Sequence, residues 1–169
     1  MQIAVLVAAF IGAVSTAVIG YTAFRLSRKA QLYAAQRAIG DLANATARFR
    51  AEHPEIMRCA SRWTRADFAV LYGRADAPDA DTIVRYYSYV DMGLEFCNTA
   101  LAARERGVVP SDVFERHYRP LVRLFLAENY PYVSTALSGP YLSSYVRGEM
   151  EKATEGGWDW DVQHREIAE

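Results

Sequence analysis

Residues 81–101 (DTIVRYYSYVDMGLEFCNTAL) carry the strongest pattern in this 169-residue chain. Apolar side chains recur there at steps of four and three, which is the spacing of one face of an α-helix. A second stripe of apolar and small residues runs beside the first. A helix that is apolar on two sides is normally central in a bundle. The first stripe is Ile83, Tyr87, Val90, Leu94, Cys97 and Leu101, and the second is Tyr86, Tyr89, Gly93 and Phe96.

The flanks of this segment predict where the central helix begins and ends. Asp81 is a typical N-cap residue, and Gly107 is a typical helix end. Ser111 is expected to cap the next helix, which Pro120 should bend because proline lacks a backbone N–H. A last short helix is expected over residues 141–152.

The C-terminal residues 154–169 are expected to form a polar tail that cannot fold alone. The tail nevertheless contains Trp158 and Trp160, whereas disordered segments are usually poor in aromatic residues. Either these tryptophans fold back onto the bundle or they dock on a partner.

A heptad-like stripe precedes the central helix and predicts another helix on its N-terminal side. That helix should end near Pro54, because the residue before a proline disfavours the helical conformation. A second helix could start at Pro54 or, with better capping-box spacing, at Thr64. The stripe consists of Leu32, Ala35, Ile39, Leu42, Thr46 and Phe49.

Residues 1–24 contain no charged side chain and are predicted to form a transmembrane anchor. The apolar run over residues 3–24 would give a helix of roughly 33 Å, enough to cross a hydrocarbon core of about 30 Å. A secretory signal peptide fits less well, because no basic residue precedes the run. The anchor should continue directly into the helical domain over residues 25–153.

Three cations, Arg25, Arg28 and Lys29, follow the predicted anchor. Basic residues beside a spanning helix stay on the cytoplasmic side, so we expect the N-terminus outside and the remaining chain inside a bacterial cytoplasmic membrane. These cations should contact anionic lipid headgroups. Residues 25–76 have ten basic and five acidic side chains, and residues 77–169 have nine and fifteen, so the basic half adjoins the anchor.

One row of small residues in the predicted anchor favours close contact with another helix. Ala8, Gly12, Thr16 and Gly20 lie four residues apart. Small residues at this spacing let two helix backbones approach closely in lipid. The partner helix could belong to another protein or to a second copy of this chain.

No arrangement of residues points to catalysis or to a bound cofactor. Asp91 and Glu95 lie one turn apart and His117 follows, but the Glu-x-x-His pairs that metal-binding bundles use are missing. The sequence has no phosphate-binding glycine loop and no nucleophile motif. Cys59 and Cys97 are interpreted as small core residues, and the charge pattern excludes a nucleic-acid footprint.

The order of these features resembles a loosely defined family of bacterial proteins that contain a domain of unknown function. The resemblance implies one N-terminal span, a basic juxtamembrane helix and a helical cytoplasmic domain, and it transfers no catalytic residue. Some proteins of this kind are associated with phage defence. The resemblance is carried by residues 25–29 (RLSRK), 86–90 (YYSYV), 94–96 (LEF) and 107–111 (GVVPS), by Phe114, and by the aromatic residues near Tyr130.

The sequence therefore predicts an all-α protein in which a transmembrane helix continues into a cytoplasmic bundle of four or five helices. The expected function is that of a non-catalytic, single-pass accessory subunit that stabilises a larger membrane complex, for which a photosynthetic or respiratory assembly is one candidate. The alternative is a membrane-anchored signalling or phage-defence adaptor. In that alternative, the chain would dimerise through the stripe over residues 32–49.

Overall fold

A computed structural model describes residues 2–60, 78–136 and 142–168, with only the backbone given for residues 2–9, 11, 58, 60 and 168. All regular secondary structure within these ranges is helical and none is strand, which confirms the all-α prediction. Six described helices have seven or more residues, against the four or five predicted. The helices are α1 (Gln2–Glu52), α2 (Met57–Ala60), α3 (Ala80–Glu105), α4 (Ser111–Val113), α5 (Arg119–Glu128), α6 (Tyr130–Ala136), α7 (Ser144–Glu155) and α8 (Trp160–Ala168).

Helix α1 is continuous over 51 residues. The predicted absence of a break between the N-terminal apolar run and the following helix is therefore confirmed. Within the residues that the structure describes, no helix combines the length and apolarity required to cross a membrane. The predicted anchor includes residues 1–9 and 11, whose side chains lie outside the described part of the chain.

Helix α3 is the central helix, as its two stripes predict. It packs against α1, α5, α7 and the turn that connects α1 to α2. Tyr86, Val90 and Cys97 are fully buried, and Tyr89 and Phe96 are nearly so. Since both stripes are covered, the neighbouring helices must lie on more than one side of α3.

The stripe of α1 over residues 32–49 faces α3 of the same chain. Ile39 has no exposed surface, Thr46 is 8% exposed, and Leu32, Leu42 and Phe49 are partly buried against the core. These side chains are therefore occupied within the bundle. A coiled-coil seam between two copies through this stripe, as the adaptor alternative requires, would need these side chains to leave their contacts with α3.

The helix ends differ from the prediction in two places. Asp79, and not Asp81, caps α3, because its carboxylate accepts hydrogen bonds from the backbone N–H and the hydroxyl of Thr82, each at 2.8 Å. Gly107 ends α3 as predicted, with φ +65°, a conformation that glycine adopts without steric penalty. Ser111 is the first residue of α4, and the N-cap position that it was predicted to occupy is taken by Pro110.

A π-helical turn, Phe114–Tyr118, separates α4 from α5. In this turn the N–H of Arg119 donates to the carbonyl of Phe114, five residues earlier. Pro120 then lies in the first turn of α5, where its missing N–H is tolerated. The helix type thus changes from π to α directly before Pro120.

The C-terminal residues fold onto the bundle. Helix α7 begins at Ser144, where Ser143 caps it, rather than at residue 141, which lies outside the described part of the chain. Residues predicted to form a polar tail instead form α8, which packs against α5 and α6. Trp160 is 5% exposed and stacks on Tyr130, with the ring centroids 6.2 Å apart. The helix predicted to start at Thr64 falls outside the described residues.

Candidate functional site

Two tyrosines of α3 bind the C-terminal end of α5 through their hydroxyl groups. Tyr89 Oη donates to Glu128 Oε2 at 2.9 Å, and Tyr86 Oη donates to Asn129 Oδ1 at 3.1 Å. Asn129 Nδ2 donates in turn to the carbonyl of Phe125 at 3.0 Å. All of these groups are buried, and a buried polar group without a partner is costly. The bonds therefore fix the register between α3 and α5.

Glu128 is a buried carboxylate that also links α5 to α1. Its Oε1 lies 2.8 Å from Arg50 Nη1, and its side chain is 5% exposed whereas that of Arg50 is 45% exposed. Burial raises the pKa of Glu128 above its ordinary value, and the charge of Arg50 and the hydrogen bond from Tyr89 oppose this rise without cancelling it. The pair therefore stands at the boundary between the core and solvent.

An apolar groove lies over this polar cluster, between α1 and α5, with α3 as its floor. Its volume is about 200 Å³. Leu121 and Leu124 line the α5 side of the groove and are 47% and 48% exposed. Six of its described lining residues are apolar, and no Ser, Cys or His is among them. The lining consists of Ala43, Thr46, Ala47, Arg50, Tyr89, Phe96, Leu121, Leu124, Phe125 and Glu128.

A second groove of about 460 Å³ lies on the other side of α5, against α8. Beside it, the guanidinium of Arg123 stacks over the ring of Trp158 at 5.1 Å from the ring centroid. Arg123 Nε and Arg119 Nε lie 3.1 Å and 3.3 Å from the buried carboxylate of Glu149. This ion cluster joins α5 to α7 and holds Trp158 against the bundle.

The structure places the predicted helix-packing residues on the exposed surface of α1. Gly12, Thr16 and Gly20 are exposed, and a Cβ added at either glycine would meet nothing within 4 Å. The side chain of Ala8 lies outside the described residues. Within the row, Thr16 Oγ1 donates to the carbonyl of Gly12 at 2.9 Å, and neither glycine faces another described part of the chain.

The predicted lipid-headgroup residues Arg25, Arg28 and Lys29 are also exposed on α1. Trp158 and Trp160, predicted either to fold back or to dock on a partner, fold back. Trp160 Nε1 donates to Thr154 Oγ1 at 3.2 Å, and its burial makes it inaccessible to a partner in this conformation.

The residues weighed as metal ligands do not form a site. Asp91, Glu95 and His117 are all exposed. In the ranges 2–60, 78–136 and 142–168, no three His, Cys, Asp or Glu side chains are grouped so as to hold a metal ion. Cys59 and Cys97 are buried core residues, as expected, and burial raises the pKa of the Cys59 thiol to about 11. A protonated, buried thiol is a poor nucleophile.

Sequence reasoning did not identify Arg50 and Glu128, which are 78 positions apart. One signal was available for Glu128: it follows Leu121, Leu124 and Phe125 at helical spacing, so it continues an apolar face. A charged residue in such a position is rarely buried unless it is paired. Its partner could not be found, because the contact between α1 and α5 depends on the tertiary fold.

Comparison of the chain with models of protein families, with curated proteins and with solved structures gives no match. The bacterial family that the sequence resembles is therefore not shown by a match. The all-helical architecture that the resemblance implies is the architecture that the structure has.

Proposed function

We propose that this protein is a non-catalytic, single-pass membrane subunit whose N-terminal helix packs against another membrane helix and whose bundle braces a larger complex. The observation that carries the proposal is the exposed apolar surface at the start of α1. Phe10, Ile19, Tyr21, Phe24 and Leu26 are between 62% and 71% exposed. At about 100° per residue these side chains lie on opposite faces of the helix, so the start of α1 is apolar all round, and such an exposed surface marks a contact with protein or membrane.

The charge distribution along α1 supports a membrane as one of these contacts. Arg25, Arg28 and Lys29 follow the apolar residues directly, which is the arrangement of a cytoplasmic membrane boundary. From Lys29 to Ile39, the first fully buried residue among the described side chains of α1, the helix rises by roughly 15 Å. The bundle would therefore stand a short distance from the headgroups, on the cytoplasmic side of a bacterial inner membrane.

The exposed row of Gly12, Thr16 and Gly20 supports a second helix within the membrane. A small-residue row lets helix backbones come close, so dispersion contacts hold the pair together in lipid. A respiratory or photosynthetic complex is the class of assembly to search first. In such an assembly the chain would contribute packing and position, and the chemistry would belong to other subunits.

The test is purification of the tagged full chain in mild detergent, followed by mass spectrometry of the proteins that remain bound. We expect stoichiometric recovery of a membrane complex, and a large loss of that complex after Gly12→Leu. Because a Cβ added at Gly12 would meet nothing within 4 Å in the described part of the chain, we expect this change to leave the bundle folded.

Val14→Phe is the matched control, since it adds bulk to the same helix on the side away from the small-residue row. The complex should survive this change. Normal assembly after Gly12→Leu would contradict the packing role. Recovery of the protein alone, or as a homodimer, would favour the adaptor alternative.

A further inference from the structure

The groove between α1 and α5 has walls with the spacing that receives a helix. Each wall supplies four residues at positions i, i+3, i+4 and i+7, so the groove extends over two helical turns, roughly 10 Å. In a helical bundle, a further helix packs into the groove that two neighbouring helices form above a third. The walls are Ala43, Thr46, Ala47 and Arg50 on α1, and Leu121, Leu124, Phe125 and Glu128 on α5.

The two walls differ in size in a way that favours a helical occupant. The α1 wall presents Ala43 and the exposed Ala47, so a helix backbone can approach it closely. On the α5 side, the half-exposed Leu121 and Leu124 would pack between the side chains of an incoming helix. This is the geometry by which grooves bind the apolar face of an amphipathic helix.

The groove lies too far along α1 for the membrane itself to cover it. From Phe24, at the end of the apolar run, to Ala43, at the near end of the groove, the helix rises by roughly 28 Å. Headgroups at the proposed membrane boundary therefore do not reach the groove. A protein segment is the occupant that this distance allows.

Charge at the far end of the groove defines the chemistry of that segment. The guanidinium of Arg50 has five N–H donors, and the bond to Glu128 uses one nitrogen, while 45% of the side chain stays exposed. Glu128 is 5% exposed, so its negative charge is turned inward and already balanced by Arg50. The end of the groove thus offers N–H groups of Arg50 that Glu128 does not use, and a carboxylate would accept hydrogen bonds from them.

We propose that the α1–α5 groove holds an amphipathic helix of the partner complex, with apolar side chains at i, i+3 or i+4, and i+7 and an acidic residue at the Arg50 end. The inference rests on the proposed function, because it states how the bundle holds the complex that the anchor joins. The groove adds a contact outside the membrane, so anchor and bundle would engage the complex together and raise the effective concentration at each contact.

The experiment is site-specific photo-cross-linking of the full chain in its native membrane. Benzoylphenylalanine replaces Leu121 at the groove edge, and in the matched control it replaces Val84, an exposed apolar residue of α3 outside the groove lining. The cross-linked peptides are identified by mass spectrometry. We expect position 121 to yield an acidic, helical segment of a subunit that co-purifies with the chain, and position 84 to yield none.

A second pair of variants locates the contact. Ala47→Leu fills the groove and should lower the cross-linking yield at position 121 about ten-fold, since overpacking a contact weakens its affinity by about that factor. Ala45→Leu places the same side chain on another, exposed face of α1 and should leave the yield unchanged. Circular dichroism checks that both variants keep their helical content.

Several outcomes overturn the inference while leaving the anchor role intact. Cross-links from position 121 to lipid alone, to a second copy of this chain, to another part of the same chain or to a basic segment would do so, as would equal yields for Ala47→Leu and Ala45→Leu. Failure of the proposed function has a different signature. In that case no complex co-purifies with the unmodified protein, whatever position 121 contacts.

Discussion

At the scale of single residues, Gly93 shows how closely α3 and α5 approach each other. A Cβ added at Gly93 would overlap the ring of Phe125, which is itself 7% exposed and packed against Tyr89. Glycine lowers the stability of a helix interior, so its presence here is explained by the space that the ring needs.

We expect Gly93→Ala to lower the free energy of unfolding by about 1–3 kcal/mol, because the buried ring cannot move without displacing the core. Gly148→Ala is the control, since Gly148 lies within α7 and an added Cβ would meet nothing within 4 Å. That change should stabilise the protein by about 0.5–1 kcal/mol. Urea denaturation followed by tryptophan fluorescence measures both, and equal effects of the two changes would contradict the close approach.

The stability of the folded protein should depend on pH through the single residue Glu128. Its pKa is higher in the folded protein than its ordinary value of 4.5, so the folded state binds more protons there than the unfolded state does. The free energy of unfolding therefore falls as pH rises from about 4.5 through the pKa that Glu128 has in the folded protein. Below about 4.5 the carboxyl is protonated in both states, and this loss of stability is absent.

Replacing Glu128 with Gln should remove that penalty, so the variant should gain stability relative to the unmodified protein as pH rises above 4.5. Glu55→Gln is the opposite control, because hydrogen bonds from its own backbone and from Arg85 lower the pKa of Glu55. Its stabilising contribution is present above the ordinary pKa and disappears as pH falls through the folded one. Chemical denaturation between about pH 2 and pH 8 compares both variants with the unmodified protein, and parallel profiles of Glu128→Gln and the unmodified protein would show that Glu128 titrates normally.

At the scale of helices, the start of α3 shows where the sequence pattern and the observed geometry differ. Asp79 and Asp81 are two residues apart, and both are typical of helix N-termini. Asp79 has extended backbone angles and accepts two hydrogen bonds from Thr82, whereas Asp81 lies within the first turn. The side chain that fixes the helix start is therefore that of Asp79.

Asp79→Ala should destabilise the protein more than Asp81→Ala, since the first change leaves the Thr82 N–H without its acceptor and the second removes only a favourable charge near the helix dipole. The loss from Asp79→Asn should be smaller than that from Asp79→Ala, because Asn also caps helices. Thermal unfolding followed by circular dichroism ranks the three variants. A larger effect of Asp81→Ala would show that α3 begins later than described.

At the scale of the whole molecule, α1 divides into two parts with different roles. Its exposed side chains over residues 12–31 leave the bundle untouched, and its buried side chains begin to pack on α3 at Leu32 and Ile39. The stability of the bundle should therefore depend on the second part alone.

A chain starting at residue 31 should unfold with the same free energy as the full chain, within about 0.5 kcal/mol, the usual range for changes away from the core. A chain starting at residue 45 loses Ile39 and Leu42, and it should be destabilised by at least about 2 kcal/mol, since full burial of one large aliphatic side chain contributes about that much. Urea denaturation compares the two. Equal stabilities would mean that residues 31–44 of α1 do not contribute to the core.

The sequence by itself determined the helical class, the central position of α3 and the continuity of α1. These properties follow from periodicity along the chain, where residues three or four apart meet on one helix face whatever the rest of the molecule does. The glycine end of α3 was also predictable, because only the local backbone conformation at Gly107 is involved.

Only the tertiary structure decided the rest. The Arg50–Glu128 pair, the approach of Gly93 to Phe125 and the folding of α8 all depend on residues far apart in sequence. Helix α8 has nine residues, too few for a stable isolated helix, so it forms because Trp160 and His164 are buried against the bundle and hydrogen-bond to it. The groove between α1 and α5 exists for the same reason: its walls are 78 residues apart and meet only when both pack on α3.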